Sequence, residues 1–279
     1  MFIKCWGSRG SIPVSGRSYL KYGGDTTCLE IRSRSGDIVI VDAGTGIRRL
    51  GNRLLDQEHR TLHFLFTHAH WDHVMGFPYF KPLYYPHTKM YMHRCPFQKR
   101  FVETILSKVM APPYFPVKYS DIRASLDYED ACPTAFDIGS IHVEPIPLSH
   151  PNNGSGYKFS EDGKTFVFLT DNELGYLHPG GRSRQDYTDF CRNADLLFHD
   201  AEYTPEEYRT FIDWGHSVYT DTLAMALDAG VARLGLFHLN QDRTDTAMDA
   251  IVRDCRRRIQ KGRHSMECFA VGADMAFEL

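Results

Sequence analysis

Apolar and polar positions fall into two rhythms along this chain. Short runs rich in β-branched and apolar residues, bounded by Gly and Ser, occur at 1–6, 27–32 and 37–41 and predict strands. A Gly-rich loop, 7–24, separates the first two. Ile47, Leu50 and Leu54 then recur at i, i+3 and i+7, the stripe of an amphipathic helix. Residues 62–66 predict another strand. From about 76 to 136 the rhythm is lost among Pro, Tyr and Phe; only Phe97, Phe101, Ile105 and Val109, spaced by four, mark a helix. This stretch is expected to be an irregular excursion, within which 115–117 and its surroundings form a loop that caps something. Strand patterning returns at 141–146, 156–159, 165–169, 195–198 and 233–237, and near Phe269. Ser217 is placed to N-cap a helix running to about Ala229, with Gly230 as its stop, and a further helix is expected over 244–259. No repeat or Gly/Ser linker divides the chain, so 1–279 reads as a single domain with one excursion at about 76–136. Groups of strands with helices between and after them imply a mixed domain of layered sheets.

Composition narrows the function classes. The chain has 279 residues, 42% apolar and 24% charged, which is ordinary globular chemistry. Its 32 basic and 35 acidic residues give a net charge of -3, without the basic excess expected of a protein working on long nucleic acid. The apolar runs are strand-length, well below the roughly 20 residues of a membrane span. The first residues lack the basic and apolar regions of a signal peptide. The 7 cysteines are odd in number and lack C-x-x-C spacing, so neither a disulfide framework nor a cysteine zinc site is expected, and a reducing cytoplasm fits.

Histidine is the anomaly. His68, His70, Asp72 and His73 lie just beyond a predicted buried strand. In extended chain, side chains at i and i+2 point the same way, so His68 and His70 can grip one metal ion together. Asp72 and His73 fall where the chain turns into a helix and offer a second site beside the first. Imidazole with carboxylate suits zinc, with manganese or iron as alternatives. Two ions need further ligands. His150, Asp171 and His238 each end an apolar strand-like run, and the Asp171 carboxylate has two oxygens with which to bridge. A lone residue of this kind is ordinarily a cap or a strand-end hydrogen bond; three after three separate strands are not.

These residues, in this order, resemble the metallo-β-lactamase fold superfamily over essentially the whole chain. The segments 23–28, 41–46, 156–159, 194–201 and 215–217 resemble its phosphodiesterase branch, which includes the ribonuclease Z type; 7–13 is most similar to bacterial members related to cyclic-nucleotide phosphodiesterases. The branch's acid, normally Glu, is here Asp200, and its second catalytic histidine matches His216. The transfer-RNA nucleases carry a long arm between the third His and the bridging Asp; only about twenty residues separate His150 from Asp171 here, too few for that arm plus two strands.

The resemblance implies an α+β fold, a four-layer αββα sandwich with metals at one edge between the sheets. It implies His68, His70 and His150 on one divalent ion, Asp72, His73 and His238 on the other, and Asp171 between. The implied chemistry is hydrolysis of a small phosphodiester such as a cyclic nucleotide by a metal-bridging hydroxide. Asp72 is counted among the catalytic residues, His216 is expected to protonate the leaving oxygen, and Asp200 to orient His216. Asp42 is expected behind a ligating histidine, and His199 either likewise or simply buried. Arg9, Arg182 and Arg184 are candidate substrate contacts, and Trp71, Tyr114 and Phe115 could stack on a base. The remaining histidines, His178 and His93 among them, are expected at the surface or in the core. Competing readings are a hydrolase of a lactone, thioester or β-lactam, an RNA 3′-processing nuclease, and a non-enzymatic sensor; the intact ligand set argues against the last. The resemblance also implies a homodimer.

Overall fold

A computed structural model describes residues 1–93, 99–129 and 133–279. Among them the strands are β1 (Phe2–Gly7), β2 (Cys28–Arg32), β3 (Ile38–Val41), β4 (Thr61–Leu65), β5 (Lys89–Met92), β6 (Ser125–Tyr128), β7 (Phe136–Ile138), β8 (Ile141–Pro147), β9 (Ser155–Glu161), β10 (Lys164–Leu169), β11 (Leu196–Asp200), β12 (Arg233–Phe237), β13 (Glu267–Ala270) and β14 (Ala276–Glu278). The α-helices are α1 (Ile47–Asp56), α2 (Trp71–Val74), α3 (Lys99–Val109), α4 (Arg184–Phe190), α5 (Pro205–Tyr208), α6 (Tyr219–Asp228) and α7 (Asp245–Lys261). The strands form two seven-stranded sheets, ordered β14-β1-β2-β3-β4-β5-β6 and β13-β12-β11-β10-β9-β8-β7.

Strand periodicity generates the layers. Successive side chains on a strand point to opposite faces. On β3, Val39 and Val41 face the second sheet, while Ile38 and Ile40 meet Ile47, Leu50 and Leu54 of α1. On β10, Phe166 and Phe168 join the layer between the sheets, while Val167 and Leu169 pack in the cluster that holds Leu223 of α6 and Ile251 of α7. Three apolar layers thus separate helix, sheet, sheet and helix, the αββα sandwich. Phe159, Phe166, Phe168, Phe198 and Phe237 fill its centre, each fully buried. Each such side chain contributes about 1.5–3 kcal/mol of burial.

Two expectations are corrected. The 76–136 excursion is not merely irregular: β5 pairs with β4 and β6 with β5, both parallel, and together they extend the first sheet. Their alternation, with Met90 and Met92 buried, spans only four residues per strand, too short to stand out from its Pro-rich surroundings. Within the expected helix, Phe97 lies outside the described residues, and Ile105 and Val109 pack on α1's side of the first sheet. Ser217 is not the N-cap of α6; Val218 is. The Ser217 hydroxyl donates to the Asn172 carbonyl at 2.5 Å and accepts from Leu174 N–H at 3.0 Å, tying two loops together instead. The roughly twenty residues between His150 and Asp171 are taken up by the β9–β10 hairpin.

Candidate metal centre

Strand ends place the chemistry. The chain leaves β4, runs through a short irregular segment, 66–70, and turns into α2, so His68 and His70 precede the helix while Asp72 and His73 lie within it. His150 follows β8, Asp171 follows β10 and His238 follows β12. Asp42, Asp171 and His238 hold left-handed backbone, with φ of 62°, 50° and 55°. That conformation costs a non-glycine residue about 1–3 kcal/mol and persists where surrounding structure demands it. Here it turns three strand-end side chains into the crevice between the sheets.

All seven predicted ligand residues converge. One atom each of His68, His70, His150 and Asp171 lies within 4.8 Å of the others, and so do atoms of Asp72, His73, Asp171 and His238, with Asp171 common to both groups. His73 Nε2 is 3.2 Å from Asp72 Oδ2 and 3.2 Å from Asp171 Oδ1. His238 Nε2 is 3.2 Å from Asp72 Oδ2 and from Asp171 Oδ2. His70 Nδ1 and His150 Nε2 point at one another, 3.1 Å apart.

The outer ring nitrogens are held from behind. His73 Nδ1 donates to Asp42 Oδ2 at 2.7 Å, as expected of a carboxylate behind a histidine. Asp42 also accepts from Thr67 N–H and Oγ1–H, each at 2.7 Å. His150 Nδ1 donates to the Gly215 carbonyl at 2.9 Å. His238 Nδ1 donates to Glu202 Oε2 at 2.8 Å. The inner nitrogens of His68 and His73 are buried and have no hydrogen-bond partner, a state that ordinarily costs about 1–3 kcal/mol per group. Imidazole nitrogens and carboxylate oxygens in this ratio are a transition-metal donor set. The electrostatics agree. Burial opposes charge on His73 and His238, yet Asp72 and Asp171 outweigh it and hold both rings well above the ordinary histidine range. His150, without so close a carboxylate, is pushed down by burial to about 3. The cluster as built calls for positive charge, and divalent ions supply it; the residues fit the metals the fold implies.

Asp200 and His216 stand beside this cluster. His216 Nδ1 donates to Asp200 Oδ2 at 2.7 Å, and its ring stacks on His238 with centroids 4.5 Å apart. Burial opposes its charge, but Glu202 and Asp200 prevail and raise it to about 9. His199 points away from the cluster: it is fully buried and bonded to Asn172 and the Asp200 carbonyl.

Two site residues escaped the sequence reading. Glu202 bonds His238 and also lies 3.5 Å from His216 Nδ1. The i, i+2 rule that pairs His68 with His70 also pairs Asp200 with Glu202, so the signal was present. Glu173 is 1% exposed and accepts from Tyr208, His178, Asp213 N–H and Gly215 N–H, so it pins the loop carrying Gly215 and His216. No pattern announces it, because its partners come from distant loops. The first Gly-rich loop closes on the site as well: Ser11 N–H donates to Asp72 Oδ2 at 2.9 Å. Arg9 is corrected: it is 1% exposed and its guanidinium donates to the carbonyls of Asn240, Arg243 and Gly23, a structural clamp rather than a substrate contact. Arg184 pairs with Asp228 at the surface. His178 and His93 are buried.

Comparison with known proteins agrees with the fold. Residues 38–239 match the family described as "Beta-lactamase superfamily domain". The chain is 23% identical to ribonuclease Z of Bacillus cereus (strain AH187), covering 84% of this chain and 87% of that one. A diphosphatase from the PhnP family superposes with a TM-score of 0.70 at 17% identity, covering 100% of this chain and 97% of that one. The short form of human tRNase Z superposes at 0.63 and 16% identity, covering 100% and 99%. With the family match spanning most of the chain, the αββα sandwich and the convergent His/Asp cluster, the protein belongs to the β-lactamase superfamily, as a metal-dependent hydrolase with the metallo-β-lactamase fold.

Proposed function

We propose that this chain is a dinuclear-metal phosphodiesterase that hydrolyses a small phosphodiester such as a cyclic nucleotide. His68, His70 and His150 would hold one divalent ion, Asp72, His73 and His238 the other, and Asp171 would serve both; zinc suits these donors, with manganese as the alternative. Two such ions, when bound, supply a hydroxide nucleophile at neutral pH and neutralise charge on the phosphoryl oxygens.

The observation that carries the reading is the Asp200–His216 pair, held against the cluster by a 2.7 Å hydrogen bond. A phosphodiester expels an alkoxide, which needs a proton. The Asp200 and Glu202 carboxylates face His216 Nδ1, fix its ring and favour its protonated form, so the pair is suited to act as an acid beside the cluster. A lactone or thioester has less need of it. The β9–β10 hairpin uses up the chain between His150 and Asp171, which leaves no room for a transfer-RNA arm there and favours a small substrate. No helix among the described residues is long and apolar enough to cross a membrane. The described cysteines are free and buried, which accords with a reducing compartment such as the cytoplasm.

The test is product analysis on zinc- or manganese-loaded protein, with Asp72→Asn as the blank. The substrates are 3′,5′- and 2′,3′-cyclic nucleotides, a lactone and a thioester. Metal-dependent opening of a cyclic phosphodiester is expected; turnover of only the carbonyl substrates would overturn the reading. His216→Ala should slow esters with poor leaving groups at least 100-fold more than a p-nitrophenyl ester. Equal losses on both would remove His216 as the acid.

A further inference from the structure

One groove beside the cluster is built by two stretches of chain with different histories. Its volume is about 440 Å³, within the size range of small-molecule sites. One wall comes from the metal-motif helix α2, through Trp71 and Met75. Tyr79, Val109, Tyr114 and Phe115, from the aromatic-rich excursion, line the other. Asp25, Thr45 and Arg48 also line the groove.

Trp71, Tyr79 and Tyr114 are 63%, 57% and 79% exposed, an unusual concentration of open aromatic surface. These rings do not merely pack a loop. Phe115 is half-buried and meets Tyr79 edge-on at 5.4 Å, bracing it. Trp71 stands between His70 and Asp72 in the chain, so the groove and the cluster share the short segment that carries α2.

We infer that the groove is a subsite for the planar base of a nucleotide substrate, with Trp71, Tyr79 and Tyr114 as its stacking surfaces. This deepens the phosphodiesterase reading and rests on it for the phosphate end of the substrate. The chemistry discriminates among occupants. An aliphatic group would gain from any apolar wall, whereas exposed flat rings favour a π-face. A purely apolar ligand would also have no use for the polar rim. Asp25 Oδ1 accepts from Thr45 Oγ1 and Oδ2 from Arg49 Nε, each at 3.0 Å. A carboxylate has about four acceptor sites, so Asp25 keeps capacity for an amino group on a base edge. Arg48 is exposed and offers donors to carbonyl or ring-nitrogen acceptors. The negative charge of Asp25 disfavours the phosphate there and directs it to the metal cluster.

The test separates the groove from the catalytic reading by using binding as well as turnover. Adenosine 5′-monophosphate and ribose 5-phosphate differ only in the base. Their dissociation constants are measured by calorimetry on the metal-loaded protein, Tyr114→Ala and Trp71→Leu. Both side chains are exposed, so the variants should fold, which circular dichroism checks. Base stacking is worth about 1–3 kcal/mol, so the nucleotide should bind at least about tenfold more tightly than the sugar phosphate. Each variant should cut that ratio by about tenfold. The ratio of kcat/KM for a 2′,3′-cyclic nucleotide over its base-free 1-methylribose analogue should fall in parallel. Equal affinity for the two ligands, or an unchanged ratio in both variants, overturns the subsite. If phosphodiester turnover is present but indifferent to the base, the catalytic reading stands and the groove assignment falls. If base-dependent binding is present without phosphodiester turnover, the subsite stands and the catalytic reading falls. A dimer dispersed by Tyr114→Ala, together with base-blind binding, would assign the groove to a second copy and overturn the proposal.

Discussion

Replacing Asp42 with Asn tests whether the metal centre is organised from behind. Asp42 Oδ2 accepts two protons, from His73 Nδ1 and Thr67 Oγ1, while Oδ1 accepts from Thr67 N–H. An amide has one acceptor oxygen and one donor-only nitrogen. If the nitrogen faces His73, either two donors collide or the ring shifts its proton from Nδ1 to Nε2, the atom aimed at Asp72 and Asp171. If the amide flips, its nitrogen meets Thr67 N–H instead. Either way a fully buried donor loses its partner, worth about 1–3 kcal/mol. The backbone adds little to this, because Asn adopts the left-handed region at φ 62° about as readily as Asp. Loss of an orienting partner behind a metal-bound histidine weakens metal affinity by about 10–100-fold, or roughly 1.4–2.8 kcal/mol, which matches the hydrogen-bond figure. Competition with a chromophoric chelator measures the affinity directly, circular dichroism verifies folding, and nitrogen NMR of the imidazoles reports the His73 tautomer. Wild-type affinity with an unshifted tautomer would refute the reasoning.

Further expectations concern the loop, the core and acid stability. A Cβ on Gly10 would lie 2.2 Å from His238 Cε1, and Glu202 holds that ring in place. Gly10→Ala should therefore lower metal affinity by about tenfold in the same competition, and unchanged affinity would show that the ring can yield. Phe198 is fully buried, edge-on to Phe166 at 5.0 Å and stacked with Phe237 at 5.9 Å. Phe198→Ala should cost about 3–5 kcal/mol in urea denaturation; a loss below 1 kcal/mol would contradict the close packing between the sheets. Burial pushes His93 down to about 4, against 6.5 as its ordinary value. Between those values the unfolded chain binds the extra proton, so this stability is present above pH 6.5 and is lost on acidification. From pH 7.5 to 5.5 the loss from His93 is about 1 kcal/mol, with Glu129 2.9 Å from its Nδ1 and His63 3.0 Å from its Nε2 as the neighbours that could offset it. His93→Gln should remove that part of the pH dependence, and an equal acid loss in both proteins would refute the assignment.

Residue order alone determined much of this protein. The strand β12 was legible as a short, continuous apolar run, buried on both faces, and the α1 stripe by its helical period. His68, His70, Asp72 and His73 were legible because local geometry relates them: an extended i, i+2 pair and the helix start that follows. His150, Asp171 and His238 were found as strand-end polar residues, and resemblance ordered them into ligand groups.

Tertiary structure decided what no local period encodes. The parallel strands β5 and β6 are four residues each and are stabilised by the sheet edge they join, not by their own patterning. Ser217 is a good capping residue by type, but bonds to Asn172 and Leu174 claim its hydroxyl. Arg9 looked like a substrate contact in a glycine-rich loop, yet it is buried, with its guanidinium donating to Asn240 and Arg243 carbonyls from a distant segment and to Gly23 at the loop's far end. Glu173 collects donors as far away in sequence as Gly215, and the aromatic groove joins α2 to Tyr114 and Phe115. Such contacts form when separate segments meet between and beside the packed sheets. Their energies depend on which groups lose water together, and that is a property of the folded arrangement rather than of any stretch of sequence.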